Sequence, residues 1–219
     1  MRNHFKIVFY LFALLSLSFA RAGSYEDFFQ AIKQDDGRTI TQLLQRGFDP
    51  NALDPSKTHG LFIAVKDGSL KAAEALIAWP KTQVEWRSPK DESPLMMASL
   101  KGHKEIVRKL IARDAHVSKP GWAPLHYAAT GGHVEIMQIL LDEHAFIDAE
   151  SPNKSTPLMM AAKYGSPAAV KLLLEAGADP GLRNELGLSA VEFAQQANRR
   201  DAAELIAAAI RAAQPKGKW

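Results

Sequence analysis

One small residue, returning at a nearly constant interval, limits what this chain can become. Alanines fall at Ala31, Ala64, Ala98, Ala128, Ala161 and Ala194, at spacings of 33, 34, 30, 33 and 33 residues. Three residues before each stands a large apolar side chain: Phe28, Leu61, Leu95, Leu125, Leu158 or Val191. Four residues after each stands Asp35, Gly68, Gly102, Gly132, Gly165 or Asn198. Gly, Asn and Asp enter the left-handed backbone region at least cost. A sharp turn is therefore expected at all six positions. A period of this length is the signature of a stacked repeat.

Apolar pairs follow each turn: Leu43-Leu44, Leu76-Ile77, Leu110-Ile111, Leu140-Leu141, Leu173-Leu174 and Ile206-Ala207. Each lies four residues after another apolar or small pair, such as Ile106-Val107 or Ile136-Met137, which marks one face of a helix. Each repeat then reads as a short helix, a tight turn, a longer helix and a loop. Ser93-Pro94 and Thr156-Pro157 put a capping hydroxyl ahead of a first-turn proline, and Ser166-Pro167 does so for a second helix. No such hairpin buries its apolar face alone, so neighbours must stack along one axis.

The run Gly121-Trp122-Ala123-Pro124-Leu125-His126-Tyr127-Ala128-Ala129, followed by Gly132-His133-Val134-Glu135-Ile136, resembles the ankyrin repeat. So does Thr156-Pro157-Leu158 with Ala161-Ala162 and Gly165, continued by Leu172-Leu173-Leu174-Glu175-Ala176-Gly177-Ala178-Asp179. The likeness covers roughly residues 25 to 212 and weakens near Gly60, which stands where the family has proline. The resemblance implies an all-α ankyrin solenoid of about six helix–turn–helix repeats with short β-turn fingers. The repeats lie near residues 25–57, 58–90, 91–120, 121–152, 153–184 and 185–212, within a domain spanning 23–212, and a tail covers 213–219. Ala123 replaces the family's capping threonine, at about 1 kcal/mol. The loop Val117 to Gly121 is short, and the loop Trp79 to Asp91 carries Pro80 and Pro89.

The first 22 residues have their own grammar. Arg2 and Lys6 open the chain, Ile7 to Phe19 is uncharged and mostly apolar, and Ala20-Arg21-Ala22 follows. That layout predicts a secretory signal cleaved before Gly23. The apolar run is too short for a span, which needs about 20 residues. Export to a bacterial periplasm, or secretion, is the expectation, with no membrane contact afterwards. Removing this segment removes three of the 27 basic side chains and leaves 24 against 24 acidic ones. No overall basic excess remains to engage nucleic acid. The tail's Arg211, Lys216 and Lys218 read as a solvated terminus. The absence of cysteine excludes disulfides and thiolate chemistry.

No nucleophile elbow, phosphate loop, metalloprotease motif or dinucleotide fingerprint is found. No catalytic residue, metal or cofactor is expected, so the chain reads as a non-enzyme. His103 and His133 follow turn glycines and are expected to cap locally; the resemblance implies for His126 a structural hydrogen bond between repeats. Met96-Met97 and Met159-Met160 should contribute at least one core residue each. Asp35-Asp36 read as solvated turn residues, and Asn153-Lys154-Ser155 fits a glycosylation acceptor.

Family resemblance implies protein binding at the finger tips and the ends of the first helices. The pairs there are Lys66-Asp67, Leu100-Lys101, Thr130-Gly131 and Lys163-Tyr164; the fingers add Trp86, Arg87, Lys90, Glu92, Trp122, Lys154, Ser155 and Leu188. Trp86, Trp122 and Tyr164 are the expected anchors, because Trp, Tyr and Arg dominate interface energetics. The expected partner is another protein, with the chain itself a monomer. The sequence leaves open whether the role is to support a partner enzyme or to neutralise a secreted toxin as an immunity protein. An enzyme or small-ligand site in the groove, and a cytosolic protein with an uncleaved hydrophobic start, are the other readings.

Overall fold

The computed structural model describes residues 23–213, so the segment read as a secretory signal and most of the tail lie outside the described residues. Among the described residues the chain is helical, with one isolated antiparallel bridge, Leu53 to His59. Two compact units divide the described residues, the first ending at Gln83 and the second beginning at Val84.

The N-terminal unit holds α1 (residues 23–33), α2 (Gly37–Gln45), α3 (Gly60–Asp67) and α4 (Leu70–Ala78). Helices of eight or nine residues are marginal alone. Their stability must come from packing: α4 sits against both α2 and α3, and Phe28, Ile32, Ile40, Leu44, Leu61 and Leu76 are fully buried. The departure at Gly60 has a packing cause. A Cβ there would lie 2.8 Å from the Phe28 ring and 3.0 Å from Ile32, leaving no room for proline. Phe28 in turn packs on Phe48, with ring centroids 4.7 Å apart.

The C-terminal unit holds four hairpins: α5 (Pro94–Lys101) with α6 (Lys104–Ile111), α7 (Pro124–Gly131) with α8 (Val134–Asp142), α9 (Pro157–Tyr164) with α10 (Pro167–Glu175), and α11 (Ala190–Gln196) with α12 (Arg200–Ala213). The first helices α5, α7, α9 and α11 pack in a close row, each against the next; α6, α8, α10 and α12 form a looser second row. The recurring alanines explain the close row. Ala98, Ala128, Ala161 and Ala194 are all fully buried, and so small a side chain lets neighbouring helices approach. Leu95, Leu125 and Leu158 fill one side of that row, and Leu110, Leu140 and Leu173 bind the second row to it. Each such leucine contributes about 1.5–3 kcal/mol by burial. At least one methionine of each pair is expected in the core, and all four are buried, from 0% exposed at Met96 to 7% at Met160.

The turns follow the sequence at five positions. Asp35, Gly68, Gly102, Gly132 and Asn198 have φ of 54°, 80°, 78°, 69° and 56°. Gly165 departs, with φ −79° and ψ −152°. Its glycine serves a different need: a Cβ there would meet the Ala129 carbonyl oxygen at 2.4 Å. The next residue, Ser166, is extended as a residue before proline should be.

Candidate protein-binding surface

Each finger turns through a left-handed residue at its tip. Lys57 (61°) does so in the N-terminal unit; Asp91 (61°), Gly121 (78°), Lys154 (60°) and Gly187 (72°) do so in the C-terminal unit. Side chains tie successive fingers together. Asn51 Oδ1 accepts from the Gln83 amide at 2.8 Å, and its Nδ2 donates to the Lys81 carbonyl at 3.0 Å. In the C-terminal unit a Glu85 oxygen accepts from the His116 amide, Ser118 Oγ from the Phe146 amide at 3.1 Å, and the Asp148 carboxylate from the Asp179 amide at 3.2 Å. Burial pushes the Asp148 carboxyl above its ordinary range, and the Asp179 amide opposes that shift. Fingers cross-linked this way form a firm support for exposed side chains.

A second ladder runs along the helix turns. His133 Nε2 hydrogen-bonds the Leu100 carbonyl at 3.0 Å, Ser166 Oγ donates to the Gly132 carbonyl at 3.4 Å, and Arg199 Nη1 donates to the Gly165 carbonyl at 2.9 Å. This corrects the expectation of local capping by His103 and His133. Neither side chain caps its own helix, and that of His133 reaches back 33 residues. The signal was present in the sequence as a polar residue after the turn at 133, 166 and 199. Asp35 performs a related task in the N-terminal unit, its Oδ1 accepting from the Lys71 and Ala72 amides at 2.7 and 3.0 Å.

His126 sits where the surface meets the core and is fully buried. Its Nδ1 accepts from the Ala123 amide at 3.1 Å, so the ring proton is on Nε2, which donates to the Ser155 carbonyl at 2.9 Å. Burial holds this histidine below its ordinary pKa, and the neutral ring bridges two repeats.

That bond also corrects one predicted contact residue. Ser155 is only 1% exposed. Its carbonyl turns to His126 and its amide donates to Ser151 Oγ at 2.9 Å, so it holds the finger from beneath. Asn153 Oδ1 accepts from Ser151 Oγ at 2.6 Å. The Asn153-Lys154-Ser155 triplet is thus a turn device whose hydroxyl is buried in the folded chain.

The remaining predicted residues fall in two places. Lys66 and Asp67 are exposed at the end of α3 in the N-terminal unit. In the C-terminal unit Lys101 is exposed and Leu100 half-buried at the end of α5, and the half-buried Thr130 donates its hydroxyl to the His126 carbonyl at 2.8 Å. Tyr164 is 56% exposed. Lys163 Nζ lies 5.3 Å from the Tyr164 ring centre and 5.5 Å from that of Phe193. Along the fingers Lys90 and Lys154 are exposed, while Trp86, Glu92 and Leu188 are half-buried. Arg87 pairs with Glu85 at 2.6 Å. Trp122 is half-buried, packing edge-on to His126 at 5.2 Å and to Tyr127 at 6.5 Å. Tyr127, which the sequence reading did not single out, donates to Glu92 at 3.5 Å; burial, then the Glu92 charge, push its hydroxyl up to about 12.

The family profile described as ankyrin repeats in three copies matches residues 28–120 and 114–184. The chain belongs to the ankyrin-repeat family. It is similar to the mouse ankyrin repeat and SAM domain-containing protein 6, 33% identical over 127 residues, covering 56% of this chain and 14% of that one. It is similar to the human ankyrin repeat and KH domain-containing protein 1, 36% identical over 98 residues, covering 42% of this chain and 4% of that one. A zebrafish putative palmitoyltransferase, ZDHHC13, is 30% identical over 148 residues, covering 65% of this chain and 23% of that one. The chain thus matches a quarter or less of these relatives' lengths. Ankyrin repeats generally mediate protein–protein interaction, and the fingers and first-helix ends of this ankyrin array are built as a tied, partly aromatic surface. Among the described residues no helix is long and apolar enough to cross a membrane, and no three His, Asp or Glu side chains form a metal-binding group.

Proposed function

We propose that this ankyrin-repeat protein is a non-catalytic scaffold that binds another protein through the fingers and first-helix ends, with the C-terminal unit supplying the principal anchors. One observation carries the reading: Tyr164 leaves 56% of its surface in solvent at the end of a short, fully packed helix. A rigid, amphipathic ring held out from a fixed backbone loses little entropy on binding. Trp122 adds an aromatic neighbour whose position is already set by His126 and Tyr127.

The layout of residues 2–22 supports export, cleavage before Gly23 and action in the periplasm, as a monomer until a partner is met. N-terminal sequencing of the expressed chain tests the export step, and a mature chain that keeps Ile7–Phe19 would reject it. The binding step is tested by capture of the partner with Tyr164→Ala and Trp122→Ala. Each should weaken binding by about 1–2 kcal/mol. Tyr164→Ala should leave the melting temperature in place, and unchanged affinity in both variants would reject the assignment.

A further inference from the structure

The basic side chains of the C-terminal unit fall into two groups. On the second-helix row three are matched, whereas Arg200 and Arg211 on α12 have no ion pair among the described residues. Lys104 pairs with Glu135 at 2.7 Å, Arg108 with Glu105 at 2.7 Å and Lys171 with Glu175 at 3.7 Å. On the fingers and first-helix ends, four lysines have no carboxylate within ion-pair distance among the described residues. They are Lys90 and Lys154 on two fingers, Lys101 at the end of α5 and Lys163 at the end of α9. Lys163 has only the Tyr164 and Phe193 rings beneath it.

Several nearby acids are already engaged, while Glu150 and Glu185 are exposed on the fingers without an ion pair among the described residues, Glu185 donating its amide to the Asn153 carbonyl beside Lys154. Asp91 pairs with Lys119, Glu192 is held by Ser189 and Arg183, and Glu92 accepts from the hydroxyls of Ser88 and Tyr127. The carboxyls of Asp91 and Glu192 lie below the ordinary carboxylate range, each through a side-chain hydrogen bond first, from Lys119 and Ser189 respectively. They therefore stay charged and committed. At the ends of α5 and α9, Lys101 and Lys163 remain unpaired, the second over the Tyr164 ring, and such positive charge raises the local concentration of acidic groups and orients their approach.

Resting on the protein-binding reading above, we infer that this surface of the C-terminal unit receives an acidic segment of the partner protein. Aspartate or glutamate side chains meet Lys90, Lys101, Lys154 and Lys163, and an apolar residue between them lies on Tyr164 and Trp122.

The test uses NMR titration of the isotope-labelled chain as recovered from expressing cells. The probes are acetyl-Glu-Glu-Leu-Glu-Glu-amide, its lysine counterpart and an oligothymidine. The glutamate peptide should move the signals of Lys101, Lys163 and Tyr164 saturably. Combined Lys101→Glu and Lys163→Glu should weaken it about tenfold or more, and Lys171→Glu should leave it within about twofold. Each variant is checked for an unchanged melt, and Lys101→Gln with Lys163→Gln serves as the milder pair. Four results would overturn the inference: no saturable shift below about 10 mM peptide, equal binding of the lysine peptide, equal binding of the oligothymidine, or full affinity after both charge reversals. If Tyr164→Ala still abolishes partner capture while the reversals change nothing, the scaffold survives and the acidic partner does not.

Discussion

The two units start their first helices differently. In the N-terminal unit α3 begins at His59, whose own Nδ1 accepts from the Leu61 amide at 3.1 Å and whose Nε2 donates to Asn51 Oδ1 at 3.1 Å. No proline follows, because Phe28 and Ile32 occupy that space. In the C-terminal unit three first helices begin with proline, and the residue three places after the cap reaches back to the cap's amide. Met96 sulfur takes it from Ser93 at 3.4 Å, His126 nitrogen from Ala123 at 3.1 Å, Met159 sulfur from Thr156 at 3.4 Å; Glu192 oxygen takes it from Ser189 at 2.8 Å. What the fold demands is an acceptor at a place, and sulfur, nitrogen and oxygen all serve. A donor left alone at a helix start would cost about 1–3 kcal/mol.

The largest expected effect checks whether these local devices are subordinate to stacking. Leu140, fully buried on α8, should lose about 2–5 kcal/mol on Leu140→Ala. A reversible melt that shifts by less than about 2 °C would mean the second row is not core. Next comes the histidine start. Burial pushes His59 down to about 4, against an Asp49 charge that opposes the shift. Because the unfolded chain binds the proton near pH 6.5 and the folded chain only near 4, stability is full above 6.5 and is lost as pH falls through that window. The loss is on the order of 3 kcal/mol. Denaturation at pH 7 and pH 4.5 measures it, and His59→Gln should reduce the dependence to the part that the buried His126 contributes; a slope unchanged by that substitution assigns it elsewhere.

His126→Met sharpens the comparison further by giving the fourth repeat the start used by the third and fifth. The Ala123 amide keeps an acceptor, but the Ser155 carbonyl loses its donor, so the expected loss is about 1–3 kcal/mol by denaturant midpoint. A neutral outcome would make the bridge between repeats dispensable. Smallest is Ala123→Ser, which restores a capping hydroxyl where Ser93 and Thr156 already have one, for a gain of about 1 kcal/mol in the same assay.

Much of this was legible in the chain because it is local or strictly periodic. The alanine column, the Ser-Pro and Thr-Pro starts and five of the six left-handed turns depend only on a few neighbouring residues. What escaped depends on residues about thirty positions away. Gly165 is set by the Ala129 carbonyl, Ser155 is buried beneath a bond from His126, and His133 reaches Leu100. Periodicity gives the partner repeat of such residues, but not which of their atoms meet. The binding surface divides the same way: exposure of Lys101 and Tyr164 follows from their place before a turn, whereas the paired state of each lysine depends on neighbours the period does not specify.

Which helix row of the C-terminal unit a bound partner touches separates the two possible interfaces. A photo-crosslinking residue placed at Tyr164, at the end of α9, or at Lys171, on α10, and irradiated in the native host reads that contact in one gel. The result expected is a covalent adduct with a single protein species from position 164 and none from position 171. An adduct from 171 with none from 164 would place the interface on the second-helix row and contradict the account.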